Sequence, residues 1–163
     1  MTQEIFPTIL AVIALSATAP LAQTVTTDSF DVRITIVAEC EITSTETLDF
    51  GTQGVPGTDV DATATMEVTC TDTTPYDIGL NEGLGAGATT SVRQMTSGGE
   101  TIAYALFQDA GRVTNWGNAV GADTQPATGT GDAQSFTVFG RVLAQATPAP
   151  GTYTDTVTVT VTY

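Results

Sequence analysis

Residues 151–163 read GTYTDTVTVTVTY, and this stretch constrains the fold more than any other. Tyr153, Val157, Val159, Val161 and Tyr163 fall on one face; Thr152, Thr154, Thr156, Thr158, Thr160 and Thr162 fall on the other. Strict period-two alternation of β-branched and aromatic residues against threonine specifies a strand with one buried face. The same signature recurs along the chain. Phe30, Val32, Ile34 and Ile36 alternate with Asp31, Arg33 and Thr35; TATMEVTC (63–70), PYDIGL (75–80) and SFTVFGRV (135–142) alternate likewise. TIAYALF (101–107) is apolar on both faces, as a central strand is. LDFG (48–51) reads as a short strand ending on a turn glycine. GLGAGATTS (83–91), TSGG (96–99) and NAVGADTQPATGTGDA (118–133) read as loops. With no amphipathic helix of useful length, about seven short strands predict one all-β sandwich domain.

Composition excludes several classes of function. Eighteen acidic residues against four arginines give a formal charge of −14, and the chain has no lysine and no histidine. A field of that sign repels phosphate, so nucleic acid is not an expected partner. Without histidine there is no Ser–His dyad and no imidazole metal site; without lysine there is no phosphate-loop lysine. GLGAG (83–87) precedes ATTSVR rather than a helix, and reads as a flexible loop. DVD (59–61) lacks the ligand spacing of a calcium loop and reads as a solvated acidic turn. Glu39 and Glu41 flank Cys40 on the opposite face and point to solvent. No enzyme activity, metal or cofactor is expected.

The first residues read as a targeting segment. IFPTILAVIALSATAPLAQ (5–23) is an apolar run closing on small residues, which predicts a signal peptide over 1–22 cleaved after Ala22, although MTQE carries no positive charge. Export is compatible with a disulfide, and Cys40 and Cys70 are the only cysteines. In an oxidising compartment they are expected to pair.

Several stretches together resemble the spore coat protein U family, which includes pilus subunits of archaic chaperone–usher systems. They are AECEIT (38–43), LDFGT (48–52), MEVTCTDTTPYDIGLNEG (66–83), RQM (93–95), IAYALFQDA (102–110), NWG (115–117), FTVFGRV (136–142) and PGTYTDTVTVTVTY (150–163). The resemblance implies an incomplete immunoglobulin-like β-sandwich completed by a donor strand from a neighbouring subunit. It implies neighbouring copies, a periplasmic chaperone and an outer-membrane usher as partners. It also implies export through the periplasm to the cell surface as a fimbrium, with roles in adhesion or biofilm formation. On this reading 23–37 is an N-terminal donor segment inserting Phe30, Val32, Ile34 and Ile36, with the alternative that 29–37 is the subunit's own first strand and the donor lies elsewhere. Residues 38–163 are the sandwich, and Val157, Val159, Val161 and Tyr163 wall the acceptor groove. Two other readings stay open: a coat protein, and a secreted carbohydrate-binding sandwich using Trp116, Tyr104 and the 118–133 loop. Trp116 itself reads as a partly buried loop anchor. A carboxylate-pair hydrolase lacks any activating neighbour.

Overall fold

A computed structural model describes residues 23–54 and 57–163; the expected signal peptide lies outside the described residues. Two units separate, one ending at Ile34 and the other comprising Thr35–Tyr163. In the described part of the first, residues 23–34 form no strand, and Phe30, Val32 and Ile34 are 88%, 86% and 83% exposed. Ile36, at the start of the second unit, is also exposed.

The described residues of the second unit form eight strands: β1 (Cys40–Thr45), β2 (Val60–Cys70), β3 (Pro75–Leu80), β4 (Arg93–Ser97), β5 (Glu100–Phe107), β6 (Gln125–Thr128), β7 (Ala133–Val142) and β8 (Val159–Thr162). They form two sheets, β1-β2-β7-β5-β4 and β6-β3-β8, and every pairing is antiparallel. The alternation explains the layering. Ala64, Met66, Val68 and Cys70 of β2 and Val138 and Val142 of β7 turn one way, onto Tyr76, Ile78 and Leu80 of β3. β2 and β7 pair over ten consecutive positions, from Val60↔Val142 to Thr69↔Ala133, and make the spine of the larger sheet.

Several expectations change. The 151–163 run keeps its in–out alternation, but only Val159–Thr162 is a ladder strand. The run switches sheets. Thr154 bridges Thr96 of β4, and four residues on Thr158 O accepts from Asn81 N beyond β3. Between the sheets, side chains replace ladder partners: Asp155 Oδ1 accepts from Thr156 N, and Asn81 Oδ1 from Thr158 N. LDFG forms no ladder; Leu48 and Phe50 instead pack over Gly140 of β7, where a Cβ would meet Leu48 at 2.8 Å. The 118–133 stretch contains β6, whose Pro126 sits on a sheet edge, where the missing N–H costs nothing. TSGG is the tip of a β4–β5 hairpin, with Gly98 and Gly99 at φ +56° and +96° between Ser97↔Glu100.

Cys40 and Cys70 are bonded, directly opposed in the β1–β2 register with Cα atoms 4.1 Å apart. DVD is not a solvated turn. Arg141 donates to Asp61 from Nε and Nη2 at 2.7 and 2.8 Å, Arg112 lies 3.2 Å from Asp61, and Asp59 joins Arg141 at 3.6 Å.

Candidate functional site

The two sheets do not close. Between β8 and the segment after β1 lies an open groove of about 660 Å³. Its floor is apolar: Ala64 and Met66 from β2, Val138 from β7, Tyr104 and Leu106 from β5, Met95 from β4 and Leu80 from β3. One wall is residues 45–50, which turn Leu48 and Phe50 inward and leave Thr45, Glu46, Thr47 and Asp49 exposed. The other is residues 152–157 with Val159, whose outward positions Thr152, Thr154, Thr156 and Thr158 are all threonine.

β8 ends the order of its sheet, so one of its edges has no partner among the described residues. Thr158 O accepts from Asn81 N, and Thr160 and Thr162 pair with Gly79 and Asp77. Backbone groups of alternate residues point to opposite edges, so those of Val157, Val159 and Val161 face away from β3. A row of unpaired N–H and C=O groups beside an apolar trough is a template for one more strand.

Polar contacts tie the groove's floor and walls to the loops behind them. Tyr104 donates its hydroxyl to Asp155 Oδ2 at 2.7 Å, and Leu84 N donates to Asp155 Oδ1 at 2.8 Å. Burial, then the bond to Asp155, pushes the Tyr104 phenol well above its ordinary range. Gly83, at φ +83°, approaches Asp155 so closely that a Cβ would overlap the carboxylate. Arg93 is fully buried without an acidic contact. Nε donates to Asn81 O at 2.7 Å, Nη1 to Thr90 O at 2.6 Å, and Nη2 to Leu80 O and Trp116 O at 2.9 and 2.8 Å. Burial lowers its pKa, opposed by the field of Tyr104, Asp155, Asp123 and Glu82. On the rim, Glu46 Oε2 accepts from Thr65 N at 2.9 Å, and Thr65 holds that carboxyl below its usual range.

Of the expected wall residues, Val157 and Val159 line the groove. Val161 packs against the core opposite Ile78, and Tyr163 is 60% exposed. Phe30, Val32, Ile34 and Ile36 are exposed, as described above. Trp116 is not partly buried but wholly so, at 1% exposure, with Nε1 donating to Ile78 O at 2.8 Å, so its ring offers no face to a sugar. Sequence reading missed Leu48, Phe50, Arg93 and Asp155. Asp155 had a signal: it is the one charged residue on the inward row of the terminal strand. Among the described residues no cluster of three or more His, Cys, Asp or Glu side chains could hold a metal ion.

Comparison with known proteins gives the same picture. The family model for the spore coat protein U domain matches residues 26–160. Protein U of Myxococcus xanthus is 31% identical over 170 residues, covering 95% of this chain and 94% of its own. Among solved structures, a chain of the CsuC–CsuE chaperone–tip adhesion subunit pre-assembly complex, from archaic chaperone–usher Csu pili of Acinetobacter baumannii, is similar at 29% identity with a TM-score of 0.54. The match covers 79% of this chain but only 40% of that one, so this chain spans about two-fifths of its length. A chain of a chaperone–usher pilus, from a structure concerned with rod uncoiling, aligns over 91% of this chain and 99% of its own, with a TM-score of 0.55 and 13% identity; it shows the fold alone.

Proposed function

Because the chain belongs to the spore coat protein U domain family, we propose that it is a structural subunit of a chaperone–usher surface fibre, polymerising by donor-strand complementation. The observation that carries the reading is the apolar groove beside the unpartnered edge of β8. The occupant is residues 29–37 of a neighbouring copy. Their alternation supplies four large apolar side chains at period two, and each contributes about 1.5–3 kcal/mol when fully buried. Backbone pairing with β8 adds roughly 0.5–1.5 kcal/mol per bond. An unfilled groove is an aggregation edge, so the subunit crosses the periplasm with a chaperone covering it and is handed to an outer-membrane usher. The fibre is displayed on the cell surface, where it serves adhesion or biofilm formation.

Ile34→Asp tests the reading. It places an unpaired carboxylate in the neighbour's groove, at a cost of several kcal/mol. Subunits are expected to be exported, disulfide-bonded and folded, yet to form no fibres under electron microscopy. Thr35→Asp, on the opposite face, is expected to polymerise. If Ile34→Asp yields no folded subunit, residues 29–37 are an intrinsic strand and the donor assignment is wrong; intact fibres would mean another segment fills the groove.

A further inference from the structure

We propose that Arg33 is a register lock: in the fibre it pairs with the acidic rim formed by Glu46 and Asp49 of the neighbouring copy. The inference rests on the donor reading above. Of four arginines, Arg93 is spent on backbone carbonyls, and Arg112 and Arg141 on Asp59 and Asp61. Arg33 makes no ion pair among the described residues. It belongs to the polar face of the alternating segment, with Asp31 and Thr35 on either side of it in that row.

A strand that lays Phe30, Val32, Ile34 and Ile36 into the groove turns Asp31, Arg33 and Thr35 up between the two rims. One rim is neutral, made of threonines. The other carries Glu46 and Asp49, both exposed and neither in an ion pair among the described residues. Both are fixed in place by backbone amides, Glu46 by Thr65 N and Asp49 by Gly51 N at 2.8 Å. Glu46 and Asp49 line the groove, so a strand filling it runs beside them, and the long side chain of an arginine spans such a gap.

The apolar row leaves a problem that charge resolves. Val32, Ile34 and Ile36 are alike in shape, so a slip of two residues keeps the same face inward at little cost in burial. The polar row is not alike: the residue two positions before Arg33 is Asp31. A two-residue slip therefore replaces the cation with an anion, Asp31, in one direction and with a neutral hydroxyl, Thr35, in the other, and both lose the ion pair. Like charges directly opposed are disfavoured, and charge complementarity fixes register more than it adds affinity.

The test compares fibres of full-length chains by their dissociation rate in denaturant, at low and high salt. Arg33→Glu is expected to accelerate dissociation about three- to tenfold at low salt, the range of an exposed pair turned repulsive, with the difference vanishing at high salt. Arg33→Lys is expected to behave as the wild type. In a background with the rim neutralised by Glu46→Gln and Asp49→Asn, which keep the hydrogen-bond acceptors, Arg33→Glu is expected to change the rate less than about twofold. An unchanged rate for Arg33→Glu at low salt, or an equal effect in the neutralised background, overturns the lock while leaving the donor strand standing if Ile34→Asp abolishes fibres. If Ile34→Asp fibres persist, the donor assignment fails and the lock with it.

Discussion

Arg93 shows how one side chain can organise a loop-rich end of a sandwich. Its guanidinium joins the end of β3, the 83–92 loop and the Trp116 loop through four carbonyls on Leu80, Asn81, Thr90 and Trp116. The planar fork suits this; an ammonium on a flexible stem does not. Arg93→Met removes the donor from the buried bonds to Leu80 O and Trp116 O and from the part-buried bonds to Asn81 O and Thr90 O; a buried carbonyl costs about 1–3 kcal/mol when orphaned. The expected loss is at least about 3 kcal/mol after local relaxation, read as a shift in the denaturant midpoint of the isolated subunit. Arg93→Lys is expected to recover only part of it. A result within error of wild type for Arg93→Met would show that water replaces the guanidinium freely.

At the scale of elements, β1 is the vulnerable part of the larger sheet. Among the described residues it pairs with β2 alone, its ladder is broken by an irregularity between Ile42 and Ser44, and most of its residues are exposed. The Cys40–Cys70 bridge holds its first residue to the last residue of β2. Closing a loop with a sequence separation of 30 is worth roughly 3.5 kcal/mol in the chain-entropy model. Cys40→Ser with Cys70→Ser is expected to lower stability by about 2–4 kcal/mol, and hydrogen exchange should show β1 amides losing protection first. Uniform loss of protection across both sheets would show that β1 folds as one unit with them. The wall at 45–50 follows β1 directly, so loosening β1 is also expected to loosen the groove.

For the whole molecule, the absence of histidine and of free cysteine sets the response to pH. No side chain titrates ordinarily between about pH 5 and 8, so stability is expected to be nearly flat there. Below that range three carboxyls matter. Asp61 is held low by its bond from Arg141 and by the fields of Arg112 and Arg141; Asp109 by the amides of Thr114 and Val113; Glu46 by Thr65. Each has a folded pKa below its unfolded one. The stability each supplies is complete above about pH 4, the unfolded value, and is lost as pH falls through the folded value. Thermal midpoints across pH are therefore expected to hold down to about pH 5 and to drop below about pH 4. A drop already at pH 6 would point to a titrating group not accounted for by these carboxyls.

Period-two patterning is local, so it was legible in the sequence. The β2, β3, β5 and β7 segments announced themselves through alternating side chains, and the two cysteines could pair only with each other. What is non-local was not legible. The 151–163 run alternates perfectly, yet its backbone changes sheets, because Thr96 bridges Thr154 while Gly79 pairs with Thr160. Nothing in the order of threonines and valines records which strand lies beside them. LDFG looked like a strand and became a groove wall because Gly140 of β7, some ninety residues away, leaves room for Leu48 and Phe50. β6 was hidden because Pro126 breaks the pattern that an edge position tolerates. Within the ladder strands β2, β3 and β7 the sequence alone determined which side chains turn inward, since that follows from the pleat. Only the tertiary structure decided that the inward rows leave a trough unfilled, because an unpaired edge is defined by the strand that is absent beside it.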